Sequence, residues 1–210
     1  MTEADWFVDF EQMRHQVEQV IQIFHMERTL NEIARSSPET WHAINRCGAF
    51  WGTHRNCLDT TLFIVMGRLF DKSGGATSLR SFLKATAEHP GFFTKSALRT
   101  RKIGQGVLHK WLDGCVEGAW VYAPLRNRVY AHIQEKDRNR IDELYSQTRY
   151  DEVEGMLRFL KGVIDDLWEL YVNGHEFGTL GSSYESFVNR VQTEARLVME
   201  QITRAEATAS

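Results

Sequence analysis

The chain has 210 residues, 42% hydrophobic and 25% charged, with a formal net charge of −3. This composition excludes a mainly disordered chain and is typical of a globular protein with a real hydrophobic core. Only three prolines interrupt it, so long helices are possible. The three cysteines form no C-x-x-C pair, which argues against a disulfide scaffold and fits a reducing cytoplasm.

Two features of the sequence argue against a membrane or secretory destination. The longest apolar run, residues 62–67, is far shorter than the roughly 20 residues of a membrane-spanning helix. The first turns contain four acidic residues, the wrong start for a secretory signal. We therefore expect a cytoplasmic protein with no membrane partner.

The first half of the chain has strong helical periodicity. Apolar residues three and four apart predict a helix over 6–34. Ser37-Pro38 is typical of the boundary where one helix ends and the next begins. A second helix is predicted from 39 to about 70, with a seam like that of a coiled coil. Its last ten residues are apolar all round, so we expect burial by this chain or by a partner.

The second half continues in the same way. Ser78 is a candidate N-cap for a short helix to Glu88, and helices are predicted over 107–121, 124–134 and 138–147. Two amphipathic helices close the chain, the first ending at Asn173-Gly174 and the second starting near Ser183. No alternating strand pattern occurs. The sequence therefore predicts one all-α domain over 1–210, a bundle of about six to eight helices.

Common cofactor and metal signatures are missing from the sequence. No two histidines are spaced three or four apart, and there is no H-E-x-x-H, phosphate-binding loop or G-x-S-x-G elbow. We expect no metal and no cofactor. His54 lies on the predicted helical seam and is interpreted as a packed core histidine rather than a ligand.

Positive charge is concentrated in the middle of the chain. Residues 95–140 contain ten basic and four acidic side chains, whereas the remainder contains fifteen basic and twenty-four acidic ones. Such a segment is either an electrostatic footprint for phosphate groups or simply a solvated helical face.

Within this basic segment, residues 125–132 read Leu-Arg-Asn-Arg-Val-Tyr-Ala-His. Arginine keeps its charge and binds two phosphate oxygens at once. His132 is a group with an ordinary pKa of about 6.5, so it exchanges protons near neutral pH. Arg128 and His132 share a helix face because they are four apart. The alternative is a solvated surface turn.

The same residues carry a resemblance to a known family. Arg126-Asn127, followed after four residues by His132, resembles the signature of the HEPN superfamily. The apolar helix end at 62–71, which finishes in Arg-Leu-Phe-Asp, then a glycine-containing break and Thr77-Ser78-Leu79, resembles the abortive-infection AbiU-type branch. The resemblance is strongest over residues 40–170.

The resemblance implies a fold and a chemistry. Many HEPN proteins are all-α, metal-independent endoribonucleases that build one composite site from the Arg…His helices of two chains. His132 would then move protons, Arg126 would stabilise the transition-state charge, and Asn127 would orient the phosphate. Arg128 and Tyr130 would assist RNA or phosphate binding, and either Arg126 or Arg128 is the functional cation.

The resemblance leaves several partners and functions open. The expected partners are RNA or a nucleotide, a second copy of the chain and a cognate antitoxin, in phage defence or a toxin–antitoxin pair. Some HEPN proteins are non-catalytic nucleotide- or RNA-binding or protein-interaction modules, which is the first alternative. A purely structural helical protein is the second.

Overall fold

The protein folds as an all-α chain in the computed structural model, which describes residues 1–71, 78–93, 105–121, 149–175, 177–178 and 181–209. The helices, in chain order, are α1 Glu3–Ser36, α2 Pro38–Arg46, α3 Gly48–Leu69, α4 Leu79–Glu88, the short α5 Gly91–Phe93, α6 Gln105–Val121, α7 Tyr150–Trp168 and α8 Tyr184–Ala209. A π-helical turn, Glu169–Asn173, extends α7. No strand occurs in these ranges, and the predicted fold class is confirmed.

Local capping chemistry determines where several helices begin and end, as predicted. Ser37 caps α2 by accepting from the Thr40 amide, and Pro38 follows in the first turn. Ser78 caps α4 in a reciprocal capping box with Ser81. Gly174 ends the π-turn with φ 66°, a left-handed conformation that glycine adopts without a steric penalty.

One boundary differs from the prediction. The region 39–70 is two helices rather than one, because Cys47 leaves the helix with φ −108° and ψ 38°. The Trp51 amide then bonds to the Cys47 carbonyl and α3 begins at Gly48. Apolar spacing of three and four does not reveal such a break, because a single residue outside the helix leaves the spacing intact. The helices predicted over 124–134 and 138–147 lie outside the described residues.

The described chain packs as two compact units. The first contains Met1–Glu18 and Val65–Ser183, and the second contains Gln19–Ile64 and Tyr184–Ser210. Helices α1 and α3 each contribute residues to both units. One domain over the whole chain therefore stays a prediction.

The core of the first unit is organised around the fully buried indole of Trp6. This ring stacks on Phe10 at 5.4 Å, meets Phe93 edge-on at 5.2 Å and lies 4.8 Å from Tyr171. Its Nε1 donates a 2.9 Å hydrogen bond to the buried Thr86 hydroxyl. The ring therefore joins α1, α4, α5 and the π-turn while its one polar group is satisfied.

A buried lysine adds an electrostatic tie to the first unit. Lys161 of α7 is 4% exposed, and its ammonium pairs with Asp165 one turn on and with Glu18, 3.6 Å away. The second oxygen of Asp165 accepts from the Ser183 amide at 2.8 Å and from its hydroxyl. A buried charge is tolerated only when it is paired in this way, because removing one partner would leave the charge of the other buried and unpaired.

The second unit buries apolar residues of α1, α2 and α8. The apolar residues concerned are Val20, Ile21, Ile23, Phe24, Ala43, Phe187, Val188, Val191, Ala195 and Met199. A buried 2.8 Å hydrogen bond between His25 Nε2 and the Tyr184 hydroxyl links α1 and α8. Farther along, the hydroxyls of Thr40 and Thr203 approach to 3.3 Å, where α2 packs on α8.

We predict that Trp6→Ala lowers the free energy of unfolding by about 3–5 kcal/mol, because it leaves a cavity among five aromatic rings. The control is Trp41→Ala, since Trp41 is 53% exposed and its loss should cost less than about 1 kcal/mol. Urea unfolding followed by circular dichroism compares the two. Equal losses would contradict the central role of Trp6.

Candidate functional site

The predicted catalytic segment lies outside the described residues. Arg126, Asn127, Arg128, Tyr130 and His132 all belong to 122–148, so their geometry stays a prediction. Of the ten basic side chains in 95–140, the described ranges include Lys110 alone, which is exposed on α6 beside exposed Asp113 and Glu117.

The helices on either side of that segment in the sequence are in direct contact. A Cβ added at Gly118 of α6 would come within 2.8 Å of a ring carbon of Phe159 in α7. The ring therefore occupies the space that any larger residue at position 118 would need. Gly118 therefore allows α6 and α7 to approach closely. In the sequence, α6 ends at Val121 and the described residues resume at Arg149, just before α7.

The apolar end of α3 is covered within this chain. Val65, Met66, Leu69 and Phe70 are all buried, whereas Ile64 is 43% exposed. Arg68 is also exposed. A partner chain is therefore not needed to bury most of this stretch, and the dimer expectation depends on the family resemblance instead.

A cavity that the sequence did not suggest lies in the second unit, between α1 and the α2–α3 turn. Its volume is about 240 Å³. We call it the tryptophan pocket; its lining residues are Glu27, Leu30, Asn31, Ala34, Trp41, Ile44, Asn45, Gly48, Trp51, Gly52, His54 and Arg55. A small apolar cavity with a few polar groups is typical of a ligand site.

His54 forms part of an aromatic cluster rather than a closed core. The imidazole stacks on Phe50 at 6.0 Å, and it meets Trp51 edge-on at 5.7 Å. His54 is half-buried, and Phe50 is 63% exposed. The interpretation of His54 as a fully packed histidine is therefore wrong, because one side of the cluster is open to solvent.

Glu27 and Arg55 line the tryptophan pocket, and the Asp59 carboxyl lies beside that of Glu27. Burial, and then the charge of Asp59, raise the pKa of the Glu27 carboxyl to about 7. Burial also raises the pKa of Asp59. Protonated Glu27 donates to the Asp59 carboxylate, and Arg55 Nε lies 4.0 Å from Glu27 Oε2. At pH values below this pKa, Glu27 keeps its proton and the pair carries one negative charge, which lies near the Arg55 guanidinium.

Two further titratable groups in the described ranges, His175 and Cys115, have structural explanations. No group of three or more His, Cys, Asp or Glu in those ranges is placed to hold a metal ion. His175 Nδ1 bonds to Glu169 at 2.8 Å beside the π-turn, and burial raises the pKa of the Cys115 thiol to about 12. No helix in the same ranges is long and apolar enough to cross a bilayer.

Comparison with protein families finds one match that covers most of the chain. The family model for AbiU2, a HEPN family, matches residues 7–191. The matched range includes most of both compact units and the whole Arg126…His132 segment. Comparison with curated proteins and with solved structures finds no match.

We predict that Glu27→Gln stabilises the protein increasingly as the pH rises from about 4.5 to about 7. In this window the folded state keeps a proton that the unfolded state releases, so wild-type stability falls with rising pH. The amide cannot ionise and can still donate to Asp59. Denaturation at pH 5 and pH 8 measures the effect.

Glu32→Gln on the same helix is the control for this prediction, because Glu32 is half-exposed and pairs only across one turn with Arg28. Its effect should be small at both pH values. If Glu27→Gln raised the free energy of unfolding equally at pH 5 and pH 8, burial of the ionised carboxylate would not be the cause of the stabilisation.

Proposed function

The chain belongs to the AbiU2 family of HEPN-type abortive-infection proteins, and from that membership we propose that it is a metal-independent endoribonuclease acting in phage defence or a toxin–antitoxin pair. The observation that carries the proposal is the combination of the family match over 7–191 with Arg126-Asn127 and His132 inside it. The proposed enzyme works in the cytoplasm as a homodimer on RNA, held in check by a cognate antitoxin protein.

The proposed reaction is an internal transfer at one phosphate of the RNA. The 2′-hydroxyl attacks the adjacent phosphorus, the bond from phosphorus to the 5′-oxygen breaks, and the products are a 2′,3′-cyclic phosphate and a 5′-hydroxyl. One His132 takes the proton from the 2′-hydroxyl and the His132 of the second copy gives a proton to the leaving oxygen. Two imidazoles are required because one cannot easily act as base and acid in the same step.

The remaining motif residues have electrostatic roles in this proposal. Arg126 stabilises the charge that develops on the phosphoryl oxygens in the transition state, and Asn127 orients the phosphate. Arg128 and Tyr130 bind the RNA backbone. Which of the two arginines is the functional cation stays open, because Arg126 and Arg128 lie only two residues apart.

We predict that His132→Ala lowers the RNA cleavage rate by about 100-fold or more, the usual contribution of a general acid–base group. Cleavage by the wild type should persist in EDTA, since no step uses a metal. Arg126→Ala and Arg128→Ala form a matched pair, and the functional cation is the one whose loss lowers the rate more.

Circular dichroism of each variant controls for folding. Cleavage that requires a divalent metal, or that survives His132→Ala in a folded protein, would contradict the proposal. Saturable RNA binding without any turnover would instead favour the non-catalytic HEPN module.

The composite site predicts a specific response to mixing subunits. When wild type and His132→Ala are co-expressed in equal amounts, random pairing puts only about half of the wild-type chains in wild-type dimers. Cleavage per wild-type subunit should therefore fall by about half. Sedimentation that shows only monomers, or activity strictly proportional to the wild-type chains, would contradict the shared site.

A further inference from the structure

The tryptophan pocket has the features of a binding site for a flat ring. Trp41 is 53% exposed at the pocket although it is one of the largest apolar side chains of the protein. Trp51 forms another part of the wall, and Leu30, Ala34 and Ile44 supply apolar surface. Exposed aromatic rings beside a cavity are the usual platforms on which unpaired nucleic-acid bases stack.

Two amides in the lining offer a donor and an acceptor. Arg55 Nη2 donates to Asn31 Oδ1, so the Nδ2 hydrogens of Asn31 lie on the other side of its amide. Asn45 Nδ2 donates to the Trp41 carbonyl at 2.9 Å, so its Oδ1 remains an acceptor. Purine edges present an acceptor beside a donor, as at N7 and the N6 amino group of adenine.

Arg55 supplies a cation at the pocket. Its side chain is 55% exposed, so its guanidinium can meet a phosphate attached to the ligand while it donates to Asn31.

We propose that the tryptophan pocket binds an adenine base, stacked on tryptophan and recognised by the amides of Asn31 and Asn45. The base comes either from a free nucleotide or from an unpaired position in RNA, and only the second source rests on the proposed ribonuclease function. The described residues that line the pocket all lie from Glu27 to Arg55 in the sequence, outside the Arg126…His132 motif.

The test is calorimetric titration of the full chain with AMP and with a short oligodeoxyadenylate. The oligomer lacks 2′-hydroxyl groups, so the proposed chemistry cannot cleave it and binding is measured apart from catalysis. Ribose 5-phosphate, which has no base, and CMP are the comparison probes. Saturable binding of AMP, with weaker binding of both comparison probes, is expected for a free-nucleotide source, and binding of the oligomer alone for an RNA source.

Three variants assign the binding to this pocket. Trp41→Ala should weaken binding about tenfold or more by removing a stacking surface. Asn31→Asp keeps the acceptor for Arg55 and removes the donor, so it should also weaken binding. Gly52→Leu should block the pocket with the fold intact, because a Cβ at Gly52 meets no atom within 4 Å.

Two further variants act as controls. Phe50→Ala removes an equally exposed ring that lines a neighbouring cavity of about 500 Å³ and not this one, so binding should persist. His132→Ala, a change in the proposed RNA site, shows by comparison how much of the oligomer binding depends on that site, whereas AMP binding at the tryptophan pocket should persist. The proposal is overturned if neither AMP nor the oligomer saturates below about 1 mM. It is also overturned if ribose 5-phosphate binds equally well, or if Trp41→Ala and Gly52→Leu bind like the wild type.

Discussion

Both compact units depend on the apolar stripe of one long helix. In α1 the residues Trp6, Phe10, Met13, Val17 and Ile21 recur at three- and four-residue steps, and each is 0% exposed. An α-helix turns once in 3.6 residues, so this spacing places all five on one face. The first four lie in the first unit and Ile21 lies in the second. One face of α1 therefore supplies fully buried core residues to both units.

Three buried polar groups inside the units are paired. The Trp6 indole has Thr86, Lys161 has two carboxylates, and His25 has the Tyr184 hydroxyl. An unpaired buried group costs far more than a paired one contributes, so each contact restricts which helices can lie side by side. These pairs explain specificity of packing, whereas the apolar stripes supply most of the stabilising free energy.

The sequence and the structure contribute to different parts of the functional argument. The ribonuclease proposal rests on a short local motif and on membership of the AbiU2 family, both of which are properties of the sequence. The tryptophan pocket could not be found in this way, because Asn31, Trp41 and Arg55 come from three helices and form no motif. The one sequence signal for it is the run of aromatic residues at 50, 51 and 54, whose spacing also suits an ordinary core.

Within the described ranges, the amino-acid sequence by itself determined where most of the helices lie, their caps at Ser37 and Ser78, and the left-handed end at Gly174. These features depend on neighbours within a few residues, so periodicity and capping chemistry reveal them. Only the tertiary structure decided that Cys47 interrupts a helix and that His54 faces a cavity. It also decided that Glu27 meets Asp59. Such outcomes depend on which residues, distant in sequence, come into contact when helices pack, and apolar spacing along a single helix carries no information about its partner.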